Sequence, residues 1–332
     1  MALSTIRVLL LNPPGAANRE GSAGLGAPGV EGGFCYPPHT LASAAGVLRA
    51  AGYAVTALDA QAERLGLAEL ASRLTQEQPA VAGLFTSALS LEGDTAVLRA
   101  LQAAYPAARY FLCGPGLSAV RGAIPADLAD TAVFGEPEAA LPGAIAGESG
   151  AGTLWVEDLD CLPFPAWDLL PAARYPLLSV LASRGCGHGC LYCPYVIAQG
   201  RRFRPRAVAG VLAELRWLRA TFGPGRIVFR DPAFACDPAR VEALCRGIAG
   251  DSSLRPRPGA GYWWWECEAR PEHCERPLLR EMRRAGCLSI KVGLETVDPS
   301  LLSLTGRSTA AGDYRARVAA LVDECRRLGI RC

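Results

Sequence analysis

Short apolar runs that stop at Gly, Pro, Asn or Asp recur along nearly the whole of this chain, with a helical stretch after most of them. Residues 6–12 make the first run, closed by Pro13, Pro14 and Gly15. A Gly-rich loop over 15–36 follows, then a helix over 40–51 that ends at Gly52. The rhythm continues with strand 54–60, helix 67–75, strand 80–86, helix 94–104 and strands 109–113 and 131–134. Short runs that are apolar on both faces belong to parallel sheets, where helices cover each side. The expected fold class over residues 1–147 is therefore α/β, an N-terminal doubly wound parallel sheet. A chain of 332 residues leaves room for a second domain with its own core.

In an open sheet of this kind the ligand lies beyond the carboxyl ends of the strands. Those ends carry Asn12 and Pro13, Asp59, Thr86 and Ser87, Gly114 and Gly116, and Gly135 and Glu136. Glycine lets the backbone approach a large ligand, while amides and hydroxyls supply neutral hydrogen bonds. No G-x-G-x-x-G follows the first strand, which disfavours a dinucleotide. Residues 148–176, rich in Pro, Gly and acidic side chains, read as a linker. The alternation then resumes over 177–332 as an incomplete βα barrel. It has strands at 178–183, 226–230, 262–268 and 288–294 and helices at 207–221, 239–248, 276–285 and 312–328. Residues 329–332 start a fifth strand. Barrel sites sit at the carboxyl ends of the strands. Asp231, Glu266, Glu268, Arg270 and Glu295 are thereby expected around one mouth, together with the loop that follows the first strand.

That loop holds three cysteines in the spacing C-x3-C-x2-C: Cys186, Cys190 and Cys193, with Gly187, His188 and Gly189 between the first two and Tyr192 before the third. Three thiolates on a short flexible loop can hold three irons of a cubane and leave the fourth open to a substrate or cofactor. Zinc competes for thiolates. A structural zinc site, however, takes four protein ligands, usually in two pairs, and no second C-x2-C pair follows. The chain has 13 cysteines. The others are scattered and read as small buried apolar residues, with Cys267 and Cys274 the two worth following.

The cysteine spacing resembles the radical S-adenosylmethionine (SAM) family, whose signature is C-x3-C-x-aromatic-C. The resemblance implies a [4Fe-4S] cluster on Cys186, Cys190 and Cys193, SAM on the open iron, and Tyr192 near the adenine. It also implies an electron donor of the flavodoxin or ferredoxin kind. The first half resembles the cobalamin-binding domain found in front of some members. It shares their early Asn12-Pro13-Pro14, a Tyr36-to-Leu41 helix entry, the Gly114-Pro115-Gly116 strand end and the Gly135-Glu136-Pro137-Glu138 turn. Asn12, Pro13, Ser87, Gly114, Gly116, Gly135 and Glu136 are then the expected cobalamin contacts. Many such domains carry Asp-x-His-x-x-Gly, whose histidine ligates cobalt from below. The matching stretch reads Asp59-Ala60-Gln61, so cobalamin is expected without a lower histidine. His39 reads as a surface or capping residue. In the second half, Glu295 is assigned to SAM through its ribose or amino group, and Asp231 is a further SAM candidate. Glu268 and Arg270 read equally well as site residues or as a salt bridge closing the third strand. Trp263, Trp264 and Trp265 read as packing.

The implied reaction is methylation of an unactivated centre in a small-molecule or peptide substrate, using a 5′-deoxyadenosyl radical and methylcobalamin. A radical cyclase or rearrangement enzyme of the same architecture stays open, as does a non-catalytic cofactor-binding protein. Family barrels normally have six βα units and this chain supplies four, so a C-terminal truncation is expected. A tRNA methylthiotransferase would carry three further N-terminal cysteines, and Cys35, Cys113 and Cys161 do not match their positions. A net charge of +2 gives no electrostatic case for a nucleic-acid partner. One basic residue is lysine (Lys291) and the rest are arginine, a coding bias rather than a patch. Residues 1–11 lack a basic stretch and a long apolar core, so no secretory leader is expected. No apolar run approaches the ~20 residues of a membrane span. A reducing cytoplasm suits the cysteine content.

Overall fold

Five of the apolar runs of the first half pair as one parallel sheet. They are β1 (Arg7–Asn12), β2 (Ala54–Asp59), β3 (Val81–Phe85), β4 (Arg109–Cys113) and β5 (Ala132–Val133), in the order β2-β1-β3-β4-β5. The order reverses between β1 and β3, and that switch point is where open sheets bind ligands. These elements come from a computed structural model that describes residues 6–15, 17–20, 35–148, 152–223, 225–255, 263–305 and 314–332. Most of the Gly-rich loop, and the expected starts of a strand at 262 and a helix at 312, lie outside these residues. The chain divides into two compact units, Met1–Pro176 with Ile197–Gln199, and Leu177–Val196 with Gly200–Cys332.

In the first unit the inner strands are apolar throughout because both faces are covered. Leu9, Leu10 and Leu11 of β1 and Leu84 of β3 are at most 2% exposed. Helices α1 (His39–Ala50), α3 (Leu67–Glu77), α4 (Leu91–Ala104) and α5 (Pro137–Ala146) follow the strands, with one turn, α2 (Ala60–Glu63), directly after β2. Asp59 caps that turn, its carboxylate accepting from the Gln61 and Ala62 amides. The sequence reading has no α5. Pro142 lies inside it, and its Ala- and Pro-rich composition leaves no apolar stripe to read.

The stretch read as a linker is built into this first unit. Trp167 is fully buried, packed edge-on against His39 and Tyr175. The Ala166 amide donates to Ala42 O at 2.8 Å. Gly46 of α1 lies so close to this stretch that a Cβ there would stand 2.7 Å from Phe164 O. His39 is therefore neither a surface nor a capping residue. Its side chain is buried in the first turn of α1.

The second unit centres on a parallel sheet in the order β11-β10-β9-β6, formed by β6 (Leu178–Val180), β9 (Arg226–Phe229), β10 (Trp264–Ala269) and β11 (Cys287–Val292). A separate antiparallel pair, β7 (Ser183–Arg184) with β8 (Arg204–Pro205), interrupts what the sequence reads as one strand over 178–183. A single turn, α6 (Tyr195–Ala198), follows the cysteines. Helices α7 (Val208–Phe222), α8 (Pro238–Gly250), α9 (Arg276–Arg284), α10 (Pro299–Leu304) and α11 (Tyr314–Leu328) complete the unit. Trp265, Phe229 and Phe234 are fully buried against one another, and Trp265 Nε1 donates to Ala285 O at 2.8 Å. Trp263 is buried as well, so two of the three tryptophans are packing residues as expected. Beyond α11 the Arg331 amide donates to Leu288 O, and Ile290 N to Arg331 O, which makes an isolated parallel bridge beside β11.

Candidate cofactor sites

In the second unit, the segment entering the cysteine loop is fixed from several sides. Asp231, fully buried just past β9, accepts the Ala182 amide at 3.0 Å and the Ser183 hydroxyl at 2.5 Å. Arg206 donates to Leu181 O at 3.0 Å and pairs with buried Glu214. Arg240 of α8 donates to the Ala182 and Arg206 carbonyls. Burial pushes both carboxyls upward. At Asp231 the Ser183 and Ala182 donors oppose this, and at Glu214 the Arg206 guanidinium does. Gly185, at φ +76°, then turns the chain into the loop in a conformation that side-chain-bearing residues rarely adopt.

The loop is closed by Cys186 N donating to Gly200 O at 3.2 Å, and turned by Cys193 N donating to Cys190 O at 3.3 Å. Cys186 is buried, and Cys190 and Cys193 are partly exposed. Among the described residues no three His, Cys, Asp or Glu side chains gather as ligands of a single ion would. A cubane takes each cysteine on a separate iron, and three thiols on one loop are the donor set it needs. The residues present fit that group. Burial pushes the Cys186 and Cys193 thiols upward, so binding metal must displace their protons.

Around the loop stand residues from the neighbouring strand ends. Arg270, the first residue past β10, donates to Cys190 Sγ at 3.1 Å and pairs with Glu272 at 3.0 Å. The rings of His188 and His273 lie 5.1 Å apart. Glu295 is exposed in the left-handed region at φ +58°, and its charge is felt at Cys193. Non-glycine residues held there store strain, which collects at functional sites. Tyr192 is 47% exposed.

Other residues expected at the mouth lie elsewhere or have different partners. Glu268 and Arg270 do not pair with each other: Glu268 accepts from Tyr195 OH at 3.5 Å. Glu266 belongs to the first half of β10 and is 1% exposed, ringed by Arg226 at 2.7 Å, Lys291 at 3.6 Å and Arg331 at 3.9 Å. Asp231 lies behind the loop, with both oxygens on its entering segment. Cys267 and Cys274 are both buried.

The expected contacts of the first unit share the carboxyl edge of its sheet. Asn12 Nδ2 donates to Asp59 Oδ1 at 2.8 Å, and Arg19 donates to Asn12 Oδ1 and to the Pro13 carbonyl at 2.9 Å. Arg19 is itself buried against Asp94. A small polar cavity at the β1/β3 switch point is lined by Asn12, Arg19, Glu20, Tyr36, Gln61 and Thr86 among others. The Ser87 hydroxyl is 2.8 Å from that of Ser90, and Glu136 accepts the Val156 amide at 2.7 Å. Gly116 precedes the 3-10 turn Leu117–Ala123. Gly114 and Gly135 serve the backbone. A Cβ at either would stand 2.2 Å from a carbonyl oxygen, of Thr86 and Leu154 respectively. Gln61 Nε2 donates to Gly15 O at 2.9 Å and to Ala17 O at 2.7 Å, pinning the loop after β1. This edge combines amides and hydroxyls with the buried Arg19–Asp94 pair at the topological switch point, where open sheets bind ligands. His39, at the start of α1, packs its ring on Trp167.

Sequence reasoning missed Arg19, Arg206, Arg240 and Tyr175. Each is a long side chain that crosses to a partner far along the chain, and spacing carries no sign of that.

Two family descriptions match the chain: the B12 binding domain over residues 28–145 and the Radical SAM superfamily over 180–332. An uncharacterised methyltransferase of Synechocystis is 32% identical over 226 residues, 66% of this chain and 41% of that protein. A second uncharacterised methyltransferase, from Pyrococcus horikoshii, is 29% identical over 46% of this chain and 32% of its own length. The bacteriochlorophyllide d C-12(1)-methyltransferase of Chlorobaculum tepidum is 28% identical over 44% of this chain and 30% of its own. The match thus spans 30–41% of the length of these relatives. Among solved structures, the methyltransferase TsrM of Kitasatospora setae with cobalamin and a [4Fe-4S] cluster bound has a TM-score of 0.73 at 18% identity, covering 98% of this chain and 68% of that one. The cobalamin-dependent enzyme OxsB with aqua-cobalamin bound has a TM-score of 0.76 at 15% identity, covering 99% and 49%. At these identities the likeness is one of fold.

Proposed function

Since the chain belongs to the radical SAM enzymes that carry a cobalamin-binding domain, we propose that it takes part in SAM-dependent methylation of an unactivated centre in a small-molecule or peptide substrate. The observation that carries this reading is the set of three thiols on one loop at the carboxyl ends of a parallel βα sheet, flanked by Arg270 and Glu295. When bound, the cluster supplies the electron that cleaves SAM, and cobalamin supplies a transferable methyl group.

The chain's own residues supply position. Cys186, Cys190 and Cys193 hold the cluster, and the Asp231, Arg206 and Arg240 contacts keep the segment entering their loop from shifting. Glu295 meets the ribose or amine of SAM, and Tyr192 offers a partly exposed ring to the adenine. In the first unit, Asn12, Pro13, Ser87, Gly114, Gly116, Gly135 and Glu136 form the cobalamin edge. Gln61 occupies the stretch where related domains place a lower histidine and holds carbonyls of the β1 loop, so this stretch would offer a bound cobalamin an amide rather than an imidazole. A flavodoxin- or ferredoxin-like donor supplies electrons. A reducing cytoplasm suits the free thiols, and among the described residues no helix is long and apolar enough to cross a membrane.

The test is to incubate anaerobically reconstituted chain with cobalamin, a reductant and SAM bearing a trideuterated methyl group. Labelled methylcobalamin together with 5′-deoxyadenosine is expected. Formation of 5′-deoxyadenosine with no labelled methylcobalamin contradicts the methylation reading.

A further inference from the structure

Arg270 stands apart from the other arginines around the cysteine loop. Arg206 and Arg240 donate to main-chain carbonyls of the loop's entering segment, whereas Arg270 donates to a cysteine sulfur, Nη1 to Cys190 Sγ at 3.1 Å. Nη2 is held by Glu272 Oε1 at 3.0 Å, and the two side chains are 12% and 17% exposed. The third donor, Nε, is buried with no hydrogen-bond partner among the described residues. A guanidinium is planar and permanently charged, so fixing one edge on Glu272 fixes the direction of the rest. A salt bridge made only to close the strand needs no sulfur contact and leaves no buried donor unpaired.

We propose that Arg270 is a positioning residue for the cluster: anchored by Glu272, it hydrogen-bonds the Cys190 thiolate and raises the readiness of the cluster to accept an electron. This rests on the cluster reading of the loop. The physical basis is direct. Reduction adds negative charge to the cluster, and a cation or a hydrogen-bond donor at a ligand sulfur stabilises the reduced form more than the oxidised one. Partial burial of the pair limits screening by solvent.

The experiment is an EPR-monitored redox titration of the full chain, reconstituted anaerobically with iron and sulfide, for wild type, Arg270→Gln, Arg270→Lys and Glu272→Gln. Iron and sulfide content is measured on each. Arg270→Gln is expected to keep its cluster but to lower the reduced-to-oxidised ratio at a fixed potential about tenfold, a downward shift of about 59 mV for one electron. Arg270→Lys is expected to restore part of that shift. Glu272→Gln keeps a side-chain carbonyl to accept from Arg270 Nη2 while removing a negative charge, so its midpoint is expected to rise. A wild-type midpoint in Arg270→Gln at full iron content overturns the proposal. If Arg270→Gln does not hold a cluster, an unchanged midpoint in Glu272→Gln overturns it instead. A wild-type chain that takes up no iron overturns the cluster reading itself, which is a separate failure.

Discussion

Asp59, read from sequence as a strand end, closes β2 and does more than end it. It is fully buried and accepts from Asn12 Nδ2, the Gln61 and Ala62 amides and Tyr175 OH. It is the hub that fixes the ends of β1 and β2. Asp59→Ala leaves several buried donors unpaired and is expected to cost about 3 kcal/mol, with Asp59→Asn costing less. Urea unfolding of the first unit measures both. The same carboxylate affects its neighbours. The Cys35 thiol is pushed up to about 12, first by burial and then by Asp59, and Tyr175 is raised by the same causes. Cys332, by contrast, is exposed, and a hydrogen bond from Cys325 lowers it to about 7. A thiol is reactive only as thiolate. Alkylation of Cys332 should therefore rise through about pH 7 and level off above it, while Cys35 stays slow throughout that range. Peptide mapping after timed labelling checks this, and equal rates at the two sites would contradict it. Cys186, Cys190 and Cys193 were legible as one set because their spacing is local. Arg270 was legible as a candidate, but its contact with Cys190, 80 positions away, was not.

At the scale of elements, the inner strands of the first sheet were readable because a strand buried on both faces is an unbroken apolar run, as in β3. Residues 109–113 match β4 at both ends. What failed was local chemistry with a non-local cause. The run over 178–183 is one apolar stretch, yet the chain leaves the main sheet after Val180 and pairs Ser183 and Arg184 with β8. Buried Asp231 holds that departure in place, and no pattern within 178–183 signals it. The strand-end glycines were read as room for a ligand, and at Gly114 and Gly135 the absence of a Cβ also admits neighbouring backbone. Gly135, at φ +101°, has Leu154 O where a Cβ would go. Gly135→Ala is expected to destabilise the first unit by more than about 1 kcal/mol, from both the backbone conformation and the clash. Thermal unfolding measures it, and an unchanged midpoint would show that the Leu154 segment yields without cost.

For the whole molecule, two parallel sheets each present a carboxyl edge with a distinct donor set. The first offers amides, hydroxyls and backbone at a topological switch point. The second offers three thiols on a braced loop. The order of the two was legible from sequence, because each edge ends in its own short motif. The second unit begins at Leu177. The linker was not legible, because its Pro-rich composition hides the buried Trp167 that ties it into the first unit. The account depends most on the thiol loop. The measurement that bears on it most directly is EPR of the anaerobically reconstituted, reduced chain, recorded with and without SAM. The account predicts a reduced cluster signal that changes on adding SAM and is lost when Cys186, Cys190 or Cys193 is replaced by alanine. A chain that keeps no iron, or a cluster signal indifferent to SAM, would contradict it.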